Sequence, residues 1–161
     1  MNIKQFKTNL EHVKKLSPEV FKKSMYSSVP FFILHEEIYE KGEKLLSMKF
    51  NINQSELDVL ASLYYMGGED YMLSPTKLYE VMIFSSGGMT KLLKKLEALN
   101  FIRRIENTND KRSKLVQITD LGKQITTNAL KDLIALEDTY FSKLNIKEQD
   151  TFQKLICKIL N

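Results

Sequence analysis

The side chains of this sequence that can do chemistry are cations in one place, not nucleophiles or metal ligands. Between residues 71 and 116 stand nine bases: Lys77, Lys91, Lys94, Lys95, Arg103, Arg104, Lys111, Arg112 and Lys114. They face four acids, Glu80, Glu97, Glu106 and Asp110. That stretch carries +5, while the rest of the chain, with 15 bases and 16 acids, carries −1. The net +4 of the molecule is therefore the charge of a single module. Cations gathered this way suit a polyanion, because each phosphate they neutralise releases condensed counterions. A solvated basic face is the plainer reading of charge alone.

Other chemistries lack their residues. The histidines are His12 and His35, and the one cysteine is Cys157. His35-Glu36-Glu37 has metal-ligand residue types, but adjacent positions point around a helix and do not converge on one ion. There is no phosphate-cradling glycine loop and no nucleophile with an evident histidine partner. An enzyme is not expected, and neither a cofactor nor a metal is implied. Cys157 lies in the apolar pattern Phe152, Leu155, Ile156, Ile159, Leu160 and reads as a buried structural thiol.

At 161 residues the chain has the length of one domain with a substantial core, and 43% hydrophobic with 27% charged residues is an ordinary globular balance. No apolar run reaches the roughly 18 residues of a membrane span. The N-terminal residues have no continuous apolar segment of the secretory kind. The expected location is the cytoplasm, with no membrane partner.

The elements that position the cations can be read in order. Ile3, Phe6, Leu10 and Val13 make a narrow helical stripe. Ser17-Pro18 reads as a helix start, with a short helix over 18–27. Pro30 reads as the start of a long helix reaching about Met48. That helix has one stripe of Phe31, Leu34, Ile38 and Leu45 and a second of Phe32, Tyr39 and Leu46, so it should touch two partners. Asn53 and Glu56 form a capping box for a helix ending at Gly67-Gly68. A loop over Glu69–Leu73 follows, then Ser74-Pro75 caps a helix lined by Leu78, Met82 and Ile83.

Ser85 or Ser86 is the expected cap of the next helix, the presumptive reading head. Met89, Leu92, Leu93, Leu96 and Leu99 form its buried face, and Gly88, Thr90, Lys91, Lys94, Lys95 and Ala98 the opposite one. Gly87-Gly88 is either a loose turn or a place where the backbone comes close to another surface such as a phosphate chain. Asn100 ends the helix in a left-handed conformation. Strands follow over Phe101–Glu106 and Lys114–Thr119, joined by a loop carrying Lys111, Arg112 and Lys114 near its tip. Thr119 caps a helix from Leu121 to about Leu144, and a last helix spans about Lys147 to Leu160. The expected fold is mainly α with a small β wing: a winged helix-turn-helix flanked by helices.

Three segments make the sequence resemble the MarR family of bacterial transcriptional regulators over about residues 31–145. They are Gln54-Ser55-Glu56-Leu57-Asp58-Val59-Leu60, the run Ser85 to Leu93 with Leu96-Glu97, and Asp110-Lys111-Arg112 followed by Val116, Ile118-Thr119 and Gly122. The resemblance implies a homodimer with interlocking terminal helices, residues 1–50 and 121–161, around a DNA-binding module at 51–120, in one compact domain per subunit. By that similarity Ser86, Gly88, Thr90, Lys91 and Lys95 face double-stranded DNA at a pseudopalindromic operator, and Lys94 lies on the same face. Arg112 is the wing-tip arginine, Asp110 orients it, and Lys111 and Lys114 flank it. Asn100 stands where the family usually has Gly. Lysines occupy 91, 94 and 95, where an arginine or an acid is often found, which favours phosphate grip over selective base reading.

Family members often bind a small aromatic compound. Phe31, His35, Tyr39, Tyr64 and Tyr65, with Phe32 and Met66, could line such a pocket; they would serve equally as ordinary packing. The expected function is a homodimeric repressor released by a small ligand. The alternative is a winged-helix module that docks proteins without reading DNA. Arg112→Ala should weaken operator binding by about 1–3 kcal/mol while leaving the fold intact. Unchanged affinity of the folded variant in a titration would remove the wing-tip assignment.

Overall fold

The computed structural model describes residues 3–82, 88–107 and 114–161. Two compact units are delimited, Met1–Lys44 and Leu45–Asn161. Against the expected stretches 1–50, 51–120 and 121–161, the C-terminal helix that follows the wing shares a core with the winged module. Leu46, Ile52, Ala129 and Leu133 are buried in the same cluster.

In the first unit a single 3-10 turn, Ile3–Gln5, leads into α1, Phe6–Leu16. Leu10 is buried, Phe6 and Val13 are half-buried and Ile3 is exposed. The helix expected over 18–27 does not form. Ser17 O accepts from Val20 N and Phe21 N, which makes one turn and no more. Phe21 then meets Tyr26 edge-on at 5.8 Å, and the Tyr26 hydroxyl donates to Glu11 of α1. That hydrogen bond raises the Tyr26 pKa. The raised value favours the protonated, folded form, so its contribution is complete at neutral pH and lost as pH climbs through the phenol range.

Helix α2, Met25–Phe50, contains Pro30 instead of beginning at it. The turn before it is already bonded, with Ser27 N and Ser28 N donating to Ser24 O. As the sixth residue of the helix, Pro30 gives up the hydrogen bond an N–H there would make to Tyr26 O.

The second unit begins with a corner. Asn51 takes φ 56°, and Ile52 N donates back to Leu46 O, closing the end of α2. Asn53 then starts α3, Gln54–Met66, through the expected capping box. Gly67 ends α3, and Tyr71, at φ 53°, turns the chain into β1, Met72–Leu73. This strand falls where a loop is expected; two residues are too few to show a period. Ser74 caps α4, Pro75–Val81, by accepting from Lys77 N at 3.1 Å. This helix stops at an extended Met82, and Ile83 lies outside the described residues.

Next come α5, Met89–Ala98, β2, Ile102–Glu106, and β3, Lys114–Ile118. The sheet order is β1-β3-β2, antiparallel throughout, with Met72 opposite Gln117 and Ile102 opposite Ile118. The chain closes with α6, Asp120–Phe141, and α7, Ile146–Leu160.

Helix α3 is central: it packs against α4, α5, α6, β1 and β3. Leu57, Val59, Leu60 and Leu63 are buried there with Leu78, Leu93, Leu96, Ile102 and Val116. Each such side chain contributes about 1.5–3 kcal/mol on burial. Helix α7 differs. Asn145 and Glu148 give it a second capping box, and Phe152 meets Phe141 at 5.9 Å, yet none of its residues is buried in the single chain. Cys157 is exposed, which corrects the expectation of a buried thiol. It lies two positions from both Leu155 and Ile159, so it points away from the side of the helix they share, while Phe152 and Ile156 are half-buried.

The start of α6 is held against the end of α5 at one point. The Thr119 hydroxyl donates to the backbone oxygens of Asn100 and Phe101 while its oxygen accepts from Gly122 N. A Cβ on Gly122 would lie 2.1 Å from Phe101 O and 2.7 Å from Ile118 Cγ1. Gly122→Ala should therefore destabilise the protein by about 1–3 kcal/mol, the range for overpacking. Urea unfolding followed by circular dichroism checks this, and an unshifted midpoint would contradict the close approach.

Candidate nucleic-acid interface

Helix α5 buries one face and exposes the other, as its apolar spacing requires. Met89, Leu92, Leu93 and Leu96 are buried, while Gly88, Thr90, Lys91 and Lys94 are exposed. The helix begins on Gly88, at φ 152°, with no side-chain cap. The cap is thus not a serine within the described residues; Ser85, Ser86 and Gly87 lie outside them. A Cβ on Gly88 would meet nothing within 4 Å, so its glycine answers to backbone angle. A helix N-terminus with no side-chain cap from Gly88, followed by two exposed lysines, is chemically suited to an anion.

Lys95 is on the same helix but is engaged. Its ammonium donates to Glu56 Oε2 at 2.8 Å, and Glu56, only 3% exposed, lies on α3. The sequence assigns Glu56 to the capping box alone; its second role needs residues 39 positions apart to meet. At the far end Asn100, at φ 58°, takes the left-handed conformation expected of it.

The base of the wing is braced. Arg103 Nε donates to Gln117 Oε1 at 2.7 Å, and Gln117 Nε2 donates to Asp70 O at 2.8 Å, tying β2 and β3 to the turn before β1. Arg104 lies 3.8 Å from Glu97. Lys114 is exposed where β3 begins. Asp110, Lys111 and Arg112 lie outside the described residues.

The aromatic residues considered for a pocket form two groups, one within each unit. In the first, Phe31 meets Phe32 edge-on at 5.7 Å and His35 stacks on Tyr39 at 5.9 Å, with Phe31, Phe32, His35 and Tyr39 all exposed. In the second, Tyr64 packs against the core and contacts Tyr65 at 4.8 Å and Tyr71 at 5.8 Å, while Tyr65 and Met66 are exposed. Lys123 sits over the Tyr71 ring at 3.9 Å and pairs with Asp120. Among the described residues no helix is long and apolar enough to cross a membrane.

Two short helices, the second turned outward from a three-helix core, with a β-hairpin beside them, define a winged helix-turn-helix protein. Residues 52–114 match the model of the MarR family. The transcriptional regulator SarZ of Staphylococcus epidermidis is 30% identical over 131 residues, spanning 81% of this chain and 82% of that protein. The reduced form of MarR from E. coli is 26% identical, with a TM-score of 0.64 over 80% of this chain and 94% of the other. Sco3205 of Streptomyces coelicolor, a MarR family transcriptional regulator solved in complex with DNA, shares the fold at 13% identity, with a TM-score of 0.73 over 88% of each chain. The chain belongs to the MarR family of transcriptional regulators.

Proposed function

We propose that the protein is a homodimeric, sequence-specific DNA-binding regulator, a repressor whose hold on a pseudopalindromic operator is released by a small aromatic ligand. The observation that carries the DNA reading is the division of α5: every leucine before its last residue is buried, and Gly88, Thr90, Lys91 and Lys94 stand exposed at and after an uncapped N-terminus. In this reading α5 enters the major groove, and Lys114 with Asp110, Lys111 and Arg112 places the wing beside it. Sco3205 and E. coli MarR, solved with DNA, supply the analogy of fold. Lysine-rich contact gives an affinity that falls steeply with salt.

The bare face of α7 supports the dimer. Ile146, Leu155, Ile159 and Leu160 are exposed in the single chain, and Ile134 of α6 is exposed as well. Leu155 and Ile159, one turn apart on the same side of α7, suit a second copy, the most frequent partner of a soluble chain. Residues 1–50 and 121–161 are then the dimerising ends around a reading module at 51–120. The ligand reading rests on the aromatic groups Phe31, His35 and Tyr39, which precede that module in sequence, and Tyr64 and Tyr65, which lie within it.

Selection of random duplexes with the purified protein tests the whole reading. The expected motif is two-fold symmetric, with half-site centres about 34–36 Å apart, one helical turn. Recovery of no motif, or of a single half-site, would refute the symmetric reader. In sedimentation the protein should run at twice its 18.8 kDa chain mass, and Leu155→Glu with Ile159→Glu should return it to the monomer and abolish binding to the full site. A folded double variant that stays dimeric would place the interface elsewhere.

A further inference from the structure

Lys95 stands one turn beyond Lys91 on the helix assigned to DNA, and a count of charges would give it a phosphate. The geometry points to a different employment. Its Nζ lies 2.8 Å from Glu56 Oε2, and the same oxygen accepts from Asn53 N at 2.9 Å. Asn53 Oδ1 in turn accepts from Glu56 N at 2.9 Å. Glu56 is 3% exposed, whereas the Lys95 side chain is 41% exposed. A carboxylate so buried keeps its charge at low cost only if a cation accompanies it.

The corner from which Glu56 projects is itself fixed. Ile52 N closes the end of α2 on Leu46 O, Asn51 is left-handed, and Asn53 opens α3. Glu56 therefore carries the position of the α2–α3 corner to the last turn of α5.

We propose that Glu56 and Lys95 are positioning residues: their ion pair sets the seating of the DNA-reading helix on α3, and Lys95 takes no part in neutralising phosphate. The proposal rests on the DNA-binding reading of α5. It makes α5's grip the work of Lys91 and Lys94, and it gives a rigid connection between the end of α2 and the reading head. A shift of that corner would move α5 through a charged contact, in addition to the leucine face it shares with α3.

The experiment uses full-length protein and the duplex obtained by selection, with affinity measured against salt concentration. Glu56→Gln keeps a capping residue at the third position of α3, since Gln serves the box as Glu does, but frees the Lys95 ammonium. The expected result is a steeper salt dependence, by about 0.9 in the slope of log K against log salt, one added phosphate contact. Lys95→Gln should leave the slope as in the wild type. In denaturation without DNA, each variant should lower the folded-to-unfolded ratio by about 5–30-fold, and the double variant should lose less than the product of the two.

A slope that falls by about 0.9 in Lys95→Gln would make Lys95 a phosphate contact and overturn the proposal. So would an unchanged slope in Glu56→Gln, or stability losses that simply multiply. If Glu56→Gln does not fold, the Lys95→Gln slope still decides. If the wild type shows no salt-dependent DNA binding, the functional reading fails, while the denaturation cycle still reports on the pair.

Discussion

The arrangement of this molecule depends on how α5 is rotated about its own axis. A helix turns about 100° per residue, so fixing the direction of four side chains fixes all the others. Met89, Leu92, Leu93 and Leu96 are sunk into a core built on α3. Once they are inside, Gly88, Thr90, Lys91 and Lys94 have no orientation left except outward. The polar face is thus a consequence of apolar burial, and its precision is that of the packing beneath it, where a methylene gained or lost is felt.

Polar groups enter where one element must be held to another. The Asn53–Glu56 box ends in a bond to α5, the Thr119 cap reaches back to the backbone after α5, and Gln117 links Arg103 of the neighbouring strand to the turn before β1. In each case a residue that caps a helix or occupies a strand also bonds a neighbouring element. Bonds of this kind favour one arrangement of the surrounding elements, most strongly at Glu56, which is buried and would otherwise lose its partners. The module is small, and such junctions let it keep a single shape around a modest core.

The other large feature is a surface without a partner. Helix α7 is capped at its start and held to α6 through Phe141–Phe152 and through Gln149, which donates to the backbone oxygens of Phe141 and Leu144. Its apolar stripe of Leu155, Ile159 and Leu160 nevertheless remains exposed. An apolar stripe of that length carries a continuing free-energy cost in an isolated chain. The proposed second copy removes that cost and brings two reading heads into one particle.

Local signals in the sequence determined much of this. The capping box at Asn53, the proline start at Ser74, the left-handed Asn100, the leucine face of α5 and the two wing strands all follow from neighbours within a few positions, and all are present. Where the sequence misled, a distant contact outweighed a local preference. Phe21, Tyr26 and Glu11 turn residues 18–24 into turns, β1 is held by pairing with β3, and Cys157 is exposed because it points away from the side of α7 that carries Leu155 and Ile159. The basic face was legible as composition, since charge can be counted along a chain. Which lysines of that face are free to meet an anion was not. Lys91 and Lys94 are exposed while Lys95 is bonded to Glu56, and only the packing of α5 on α3 brings that acid within reach of one lysine of the three.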